Sequence, residues 1–281
     1  MKIIKSINEM NQLTQSWREE NLSVGLVPTM GYLHDGHMSL VKASVEDNRK
    51  TVVSIFVNPI QFGKGEDLES YPRNEKQDIA VCESGKVDAV FIPSVEEMYP
   101  KGFNTFVDST EIGGGITGEA RPGHFKGVCT VVNKLFNIVC PCKAYFGQKD
   151  AQQLAVIKSM VTDLNINVEI IGCPTVREHD GLAMSSRNSY LNKNERDKSI
   201  AIYKVLNAGR KVYEDGGNSQ SVRNEAVRVL EEEHDLQTDY IHVVDPVSMK
   251  PRDDKFVPLS GDMLLISVTI GKTTLIDNII L

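Results

Sequence analysis

Two histidines three residues apart, His34 and His37, are the side chains of this sequence best placed to contact phosphate. They follow an apolar run at Val24–Val27, which is typical of a buried strand, and a helix is predicted to begin near His37. Imidazoles at positions i and i+3 share one helix face and can reach successive phosphates. The N-terminus of a helix also carries unpaired N–H groups and a partial positive charge. The segment therefore predicts a site for the α- and β-phosphates of ATP.

Two other interpretations of these histidines stay open at this point. They could simply cap the helix, or they could bind zinc. Zinc is the weaker interpretation, because the sequence has no third ligand at a recognisable spacing and no His-Glu-x-x-His pattern. No metal site made of protein side chains is predicted.

A second segment, residues 181–188, offers groups that suit a leaving pyrophosphate. It reads Gly-Leu-Ala-Met-Ser-Ser-Arg-Asn and precedes a long helical stretch. The hydroxyls of Ser185 and Ser186, the bidentate guanidinium of Arg187 and the N–H groups of the loop are all suitable partners. Taken alone, the segment could be an ordinary turn. Paired with the histidine segment, it resembles the His-Ile-Gly-His and Lys-Met-Ser-Lys-Ser signatures of the class I nucleotidyltransferase superfamily.

Six motifs in order narrow this resemblance. They are Pro-Thr-Met-Gly at 28–31, Phe-Val-Asn-Pro-Ile-Gln-Phe at 56–62, Tyr-Pro-Arg at 71–73, Arg-Pro-Gly-His-Phe at 121–125, Phe-Gly-Gln-Lys-Asp-Ala-Gln-Gln-Leu at 146–154 and Met-Ser-Ser-Arg-Asn at 184–188. With these motifs the chain resembles the pantothenate synthetase family from about residue 3 onwards. Gln148 departs from the Glu that is usual in the family, so a role that needs this side chain's charge stays open.

The resemblance implies a ligase that condenses (R)-pantoate with β-alanine to pantothenate, a step of coenzyme A biosynthesis. The pantoate carboxylate would attack the α-phosphorus of ATP to give pantoyl adenylate and pyrophosphate, and the amine of β-alanine would then expel AMP. A carboxylate is ionised at neutral pH, so the first step needs positioning and positive charge rather than a general base. Mg²⁺ is expected through the phosphates, with Asp78 or Asp150 as candidates to assist, and a homodimer is implied.

Chemistry and resemblance together assign roles to individual residues. His34 and His37 would contact the triphosphate, with His37 as the donor to the leaving oxygen, and Lys149 would bind phosphate as a point charge. Gln61 and Gln153 are predicted to bind pantoate or β-alanine, because an amide offers donors and an acceptor without a formal charge. The adenine end would meet Met30, Val176 and Met184. The predicted ATP-binding set is Met30, Gly31, Tyr32, Leu33, His34, Asp35, Gly36, His37, Gly147, Gln148, Lys149, Asp150, Val176, Met184, Ser185, Ser186 and Arg187.

Three alternatives differ in reaction or partner. A nucleotidylyltransferase would release a dinucleotide-like product, and a catalytically silent nucleotide sensor would bind ATP without forming AMP. A synthetase-like RNA-binding protein would need a basic surface, but the chain carries a formal net charge of −7. That charge also argues against an anionic membrane surface. Anionic substrates must therefore be attracted by a local cluster, for which the candidates are His34, His37, His124, Lys149 and Arg187.

Composition predicts a cytoplasmic globular protein. Of the 281 residues, 41% are hydrophobic and 25% are charged, which is ordinary for a soluble domain. The sequence shows no signal-peptide pattern and no 18-residue apolar run. Its five cysteines lack a paired Cys-x-x-Cys framework, so they are expected to be reduced.

Apolar runs alternate with helical segments in the first part of the chain, which predicts an α/β fold with a Rossmann-like, doubly wound parallel sheet. The predicted strands are 24–27, 51–57, 87–92, 143–146 and 167–171. The predicted helices begin with 7–20 and continue with 37–48, 74–85, 124–139 and 150–163. Ligands of such sheets bind beyond the carboxyl ends of the strands, where the segments at Pro28, Asn58 and Gly147 lie.

The second part of the chain changes character and predicts a smaller α+β domain. Residues 1–176 would form the nucleotide- and pantoate-binding domain, and residues 177–281 a C-terminal domain that could close as a lid. The predicted elements of the latter are helices at 193–214 and 219–235 and strands at 239–244, 263–270 and 274–280. Gly271-Lys272-Thr273 suggests a P-loop, but Ile266 occupies the position of the required glycine and too few residues follow.

Overall fold

A computed structural model of the chain describes residues 1–233 and 236–281. These residues form two compact units. The first comprises Met1–Gln148 and Val156–Pro174, and the second comprises Lys149–Ala155 and Thr175–Leu281. The domain division that the sequence suggests after residue 176 stays a prediction. No described helix has both the length and the apolar character that a membrane crossing requires.

The first unit contains a six-stranded parallel sheet with helices between its strands. Its strands are β1 (Lys2–Ile4), β2 (Val24–Thr29), β3 (Lys50–Ile55), β4 (Ala89–Phe91), β5 (Lys143–Gly147) and β6 (Glu169–Cys173). Its helices are α1 (Ile7–Glu19), α2 (Asp35–Asp47), α3 (Glu75–Ser84), α4 (Val95–Met98), α5 (Thr117–Ala120) and α6 (His124–Val139). Helix α7 (Ala151–Asp163) begins in the second unit and ends in the first.

The strand order β1-β4-β3-β2-β5-β6 confirms the predicted doubly wound sheet. The chain order reverses at β2, which pairs in parallel with β3 on one side and with β5 on the other. Pairing with β5 ends at Leu26, whereas pairing with β3 continues to Thr29. Pro28, which has no N–H to donate, therefore lies where β2 has a neighbour on one side only. Doubly wound sheets bind ligands at such a reversal point. The loop that carries His34 leaves β2 there.

Most predicted elements of the first unit are present, with shifted ends. The sequence does not predict strand β1, because three residues directly before a helix show no alternation. This strand pairs in parallel with β4 at the edge of the sheet. Helix α2 begins at Asp35 and not near His37, because the His34 side chain already caps it. Strand β3 ends at Ile55, two residues before the predicted end.

The second unit has the smaller α+β fold that the sequence predicts. Three antiparallel strands, in the order β7-β8-β9, are flanked by helices. The elements are α8 (Lys193–Ser199), α9 (Ala201–Glu214), α10 (Ser219–Glu231), β7 (Leu236–Val244), β8 (Met263–Ile270) and β9 (Thr273–Ile280). Apolar residues of the helices and strands, among them Ile202, Leu206, Val222 and Ile266, pack into one buried core.

The second unit differs from the two helices predicted for it, and it shows what the P-loop-like sequence forms. The single helix predicted at 193–214 is interrupted at Ile200 and forms α8 and α9. The helix predicted at 219–235 ends at Glu231, and its last two predicted residues lie outside the described residues. The rejected P-loop is a two-residue turn, since Ile270 pairs with Thr273 across the hairpin of β8 and β9.

Candidate functional site

The two predicted histidines cap helix α2 and contact one another. His34 Nδ1 accepts a hydrogen bond from the N–H of Gly36 over 3.2 Å, and His37 Nδ1 accepts one from the N–H of His34 over 3.4 Å. Their ring centroids are 4.1 Å apart. Because each Nδ1 accepts, the proton of each neutral imidazole resides on Nε2. Capping and phosphate binding are therefore compatible, since they use opposite nitrogens of the ring.

A buried carboxylate shapes the loop that presents these histidines. Asp78, in the first turn of α3, is 2% exposed. Its Oδ2 accepts from the N–H of Tyr32 over 2.9 Å, and its Oδ1 accepts from the N–H of Leu33 over 2.7 Å. The loop turns sharply at this point, with φ of +83° at Gly31 and +53° at Tyr32. Tyr32 has a side chain in the left-handed region, so the two hydrogen bonds offset an unfavourable backbone conformation.

Gln61 is held by its neighbours at both its side chain and its backbone. It ends a 3-10 turn, Pro59–Gln61, that follows β3, and it is 7% exposed. Its Oε1 accepts from Asn58 Nδ2 over 3.0 Å, and its Nε2 lies 3.2 Å from Met30 Sδ. Gly127 of α6 allows close approach, because a Cβ there would lie 2.5 Å from the Gln61 Cα. The turn and helix α6 therefore fix the position of this amide.

His124 and Arg121 anchor the Gln61 backbone. His124 is 8% exposed, and its Nδ1 donates to the Gln61 carbonyl oxygen over 2.9 Å. Arg121 Nη1 lies 3.3 Å from His124 Nε2, and Arg121 also pairs with the Glu66 carboxylate. A carbonyl only accepts and a guanidinium only donates, which fixes the tautomer with the proton on Nδ1. His124, one of the candidates to attract anions, is thus engaged with protein groups at both nitrogens.

Arg121 changes the pKa of the Glu66 carboxyl. Burial would raise the pKa of the Glu66 carboxyl, but the hydrogen bond and charge of Arg121 outweigh it and lower that pKa below its ordinary value. Glu66 is therefore ionised at neutral pH and holds Arg121, whose Nη2 lies 3.5 Å from the Gln61 carbonyl oxygen.

A cavity of about 280 Å³ adjoins Met30 and Gly31 within the first unit. Its walls come from the ends of β3 and β4 and from the start of α3, and they include Phe56, Arg73 and Asp78. The loop that carries the predicted ATP-binding residues 30–37 therefore borders open space in its own unit.

The second unit contains the predicted phosphate-binding lysine. The Lys149 side chain is 18% exposed, and its Nζ lies 3.6 Å from Asp150 Oδ1. The Lys149 carbonyl oxygen accepts from Asn278 Nδ2 over 2.8 Å. Asn278 belongs to β9 and is 4% exposed. A buried strand residue therefore fixes the backbone of the loop from which the lysine projects.

Hydrogen bonds also hold the segment at residues 181–188, which contains Ser185 and Ser186. The N–H of Met184 donates to the Val176 carbonyl over 3.0 Å, so these two predicted adenine contacts are neighbours. Ser185 caps a 3-10 turn at Ser186–Tyr190, because its Oγ accepts from the N–H of Arg187 over 3.3 Å. This hydrogen bond fixes the backbone at the start of the turn, where Ser186 and Arg187 lie.

Arg177 connects this loop to β9. Its guanidinium donates to both carboxylate oxygens of Asp277, to the Asn278 carbonyl and to the Gly181 carbonyl. Gly181 has a φ of +96°, and a Cβ there would overlap the Tyr203 ring. Neighbouring residues of one strand, Asp277 and Asn278, therefore support both predicted phosphate-binding segments of this unit.

The predicted site residues are divided between the units. The first unit contains residues 30–37, Gln61, Gly147 and Gln148, and the second contains Lys149, Asp150, Gln153, Val176 and residues 184–187. Contacts to ATP or pantoate stay predictions for all of them. Among the residues that the structure describes, no three His, Cys, Asp or Glu side chains gather as a metal site.

The sequence does not reveal the residues that lie far along the chain from the predicted site segments and support them in the fold. Asn58 stands inside a recognised motif, but the motif alone assigns it no role. Asp78 is predicted only as a possible aid to Mg²⁺. The supporting roles of Arg177, Asp277 and Asn278 leave no signal in the sequence, because the backbone groups that they contact become their neighbours only in the folded chain.

Comparison with known proteins gives one consistent family. The sequence profile described as Pantoate-beta-alanine ligase matches residues 2–280. A pantothenate synthetase from Sulfurihydrogenibium sp. is 50% identical over 281 residues, which is 99% of both chains. A pantothenate synthetase from Clostridium botulinum is 49% identical over 99% of this chain and 98% of its own.

Solved structures agree with the sequence comparison. The crystal structure of pantothenate synthetase from Thermus thermophilus superposes with a TM-score of 0.93 at 41% identity, covering 99% of each chain. The pantoate-beta-alanine ligase of Francisella tularensis, complexed with beta-gamma ATP and beta-alanine, gives a TM-score of 0.82 at 35% identity. That match covers 100% of this chain and 97% of the other.

Proposed function

The chain belongs to the pantoate-beta-alanine ligase family, and from this premise we propose how its own residues carry the reaction. The protein condenses pantoate with β-alanine, using ATP, through a pantoyl-adenylate intermediate and with release of AMP and pyrophosphate. The family match over residues 2–280 is the observation that carries this conclusion, because it includes every segment to which a role is assigned below.

In the first step, the pantoate carboxylate attacks the α-phosphorus of ATP. His34 and His37 serve as neutral Nε2–H donors to the phosphate oxygens. The hydrogen bonds at Nδ1 support this role, because they select the tautomer that carries the proton on Nε2. His37 donates as charge develops on the leaving oxygen, where a single positioned donor contributes about 10²–10³ in rate.

Lys149, Ser185, Ser186 and Arg187 hold the departing pyrophosphate. Lys149 supplies a point charge, and Arg187 supplies a fork of donors suited to two phosphate oxygens. The cap of the turn at Ser186–Tyr190 supports this assignment, since the hydrogen bond from the Arg187 N–H to Ser185 Oγ fixes the backbone that carries these side chains. The remaining residues predicted to bind ATP contribute backbone groups and apolar surface to the nucleotide.

Mg²⁺ is proposed to enter with ATP, held mainly through phosphate oxygens. The described residues provide no cluster of three metal-ligating side chains, and both oxygens of Asp78 accept backbone N–H groups. Asp150, whose side chain is 44% exposed, is the better placed of the two candidates to assist. When bound, the ion neutralises phosphate charge and so favours attack by an anionic carboxylate.

Gln61 and Gln153 recognise pantoate, and the adenylate then reacts with the amine of β-alanine. The neutral amine attacks the acyl carbon, the carbon–nitrogen bond forms as the nitrogen loses a proton, and the bond between the acyl carbon and the phosphate oxygen of AMP breaks. The fixed position of Gln61 supports its role, because a preorganised amide loses little freedom when it binds a substrate.

We also propose a homodimer in the cytoplasm. The family resemblance supports the dimer, and five free cysteines are compatible with a reducing compartment. Analytical ultracentrifugation should give twice the mass of one chain. Fractionation of the source cells should place the protein with the cytoplasmic fraction.

A coupled assay of AMP release tests the function directly. AMP should form only when ATP, pantoate and β-alanine are all present. Labelled pyrophosphate should exchange into ATP with pantoate alone, because the first step is complete in itself. Exchange that requires β-alanine would rule out a free adenylate. ATP binding without AMP formation would instead indicate a nucleotide sensor.

A further inference from the structure

A short series of hydrogen bonds leads away from Gln61 and ends at a tyrosine. The Tyr99 hydroxyl donates to Asn58 Oδ1 over 2.7 Å, and Asn58 Nδ2 donates to Gln61 Oε1 over 3.0 Å. Asn58 is 1% exposed and Gln61 is 7% exposed, so water has little access to these bonds. All three residues belong to the first unit.

A backbone carbonyl, which can only accept, sets the direction of these hydrogen bonds. The Gly127 carbonyl can only accept, and it lies 3.1 Å from Asn58 Nδ2. A reversed Asn58 amide would place Oδ1 against this carbonyl, which is repulsive. The Asn58 amide therefore turns Nδ2 toward Gly127 and Gln61, and its Oδ1 needs a donor from the other side. Tyr99 provides that donor.

The orientation of Asn58 determines the orientation of Gln61. Since Asn58 presents a donor, Gln61 turns its acceptor, Oε1, toward it. The Gln61 Nε2 then points to the side of Met30, where thioether sulfur at 3.2 Å is only a weak acceptor. This NH₂ group retains the capacity to donate strongly to a ligand oxygen.

Tyr99 is held as a donor by its surroundings. Its ring centroid lies 6.0 Å from that of Phe56 and 5.0 Å from that of Phe103, and Lys134 Nζ lies 5.9 Å from the ring. Burial raises the pKa of the Tyr99 phenol above its ordinary value of 10.0. The hydroxyl therefore keeps its proton throughout the neutral range and can always donate.

We propose that Tyr99 is a positioning residue for substrate recognition, which acts through Asn58 to hold the Gln61 amide with Nε2 toward an oxygen of pantoate. This inference rests on the proposed role of Gln61 as a pantoate ligand. A Gln61 amide that is free to turn would present Oε1 part of the time, and that oxygen would repel a carboxylate. Tyr99 therefore favours an anionic substrate without touching it.

Kinetics of Tyr99→Phe test the inference. The variant keeps the ring and removes only the donor, leaving Asn58 Oδ1 buried without its partner. We expect the KM for pantoate to rise about five- to tenfold, with the KM for ATP unchanged. Tyr145→Phe is the matched control. It also removes a phenol hydroxyl that contacts an Asn in the same unit, in this case by accepting from Asn48 Nδ2, but its KM for pantoate should equal that of the wild type.

A double-mutant cycle separates an orienting role from a general effect on structure. If Tyr99 acts through Gln61, Tyr99→Phe should change the pantoate KM less than about twofold when introduced into Gln61→Ala. An equal increase in both backgrounds, or no increase in the wild-type background, would overturn the inference. If Gln61→Ala itself leaves the pantoate KM unchanged, the role of Gln61 fails first, and the inference fails with it.

Discussion

Replacement of Asp78 by asparagine should destabilise the protein and reduce its activity. The carboxylate accepts two backbone N–H groups, from Tyr32 and Leu33, at 2.9 and 2.7 Å. Asparagine can accept only one of them, and its NH₂ group would face the other N–H. The variant therefore loses one charge-assisted hydrogen bond and leaves a buried donor without an acceptor.

The expected loss follows from these two contacts. A hydrogen bond to a charged group contributes about 1.5–3 kcal/mol, so we expect Asp78→Asn to lower the free energy of unfolding by about this amount. The loop leads directly into His34 and His37, and a displacement of roughly 1 Å at reacting groups can cost about 10²-fold in rate. We therefore expect kcat/KM for ATP to fall about 100-fold.

Urea unfolding without ligands and steady-state AMP release provide the two measurements. Glu75→Gln is the matched control, because Glu75 lies in the same first turn but is exposed, and its carboxylate pairs with exposed Lys5 at 3.3 Å. That pair should contribute less than about 1 kcal/mol. An unchanged unfolding free energy in Asp78→Asn, combined with activity restored by excess Mg²⁺, would refute the loop-shaping role and favour a metal-binding role.

Three further predictions concern other parts of the site. His37→Ala should lower turnover by about 10²–10⁴. Its melting temperature should change only by the loss of a helix cap, and activity that simply tracked unfolding would contradict a catalytic role. Gln153→Ala should raise the pantoate KM at least about tenfold, with ATP affinity by calorimetry unchanged. Weaker ATP binding with a normal pantoate KM would place Gln153 on the nucleotide. Glu66→Gln should lower the melting temperature at pH 7, and the difference from the wild type should narrow below pH 4.5, the ordinary pKa of the carboxyl. The sign follows from the pKa of Glu66, which is lower in the folded protein than in the unfolded chain. The resulting stability is present above the unfolded pKa and is lost as the pH falls through the folded one. A difference that is independent of pH would show that the charge of Glu66 is not responsible.

The fold is predictable from the sequence because its central strands are apolar on both faces and alternate with helical segments. Val24–Val27 and Lys143–Phe146 each read as short buried runs, and both lie in the parallel sheet. Edges and interruptions are harder to predict. Strand β1 has three residues and lies at the edge of the sheet beside β4, so its position depends on tertiary pairing. The break at Ile200 likewise has no proline or glycine to mark it.

The segments predicted to bind phosphate can be recognised in the sequence because histidine, lysine, serine and arginine are residue types that donate hydrogen bonds to phosphate. The residues that position them cannot be recognised in this way, because their side chains meet distant backbone or amide groups. Asp78 contacts a loop 45 and 46 residues earlier, Tyr99 contacts Asn58 across 41 residues, and Asn278 contacts Lys149 across 129. A sequence shows that an aspartate or asparagine is present, but only the fold shows which buried group it satisfies.

The hydrogen bond from Asn278 to Lys149 also sets an order of events during protein synthesis. A ribosome that has just added Lys149 must add 129 more residues, the last of them Asn278, before this hydrogen bond can form. At about 5–20 residues per second, this interval lasts about 6–26 s. Early in this interval the ribosome completes β6, the last strand of the parallel sheet. Strand β9, which contains Asn278, has not yet been synthesised at that time. The backbone at Lys149 therefore gains this buried support only after β9 has been synthesised.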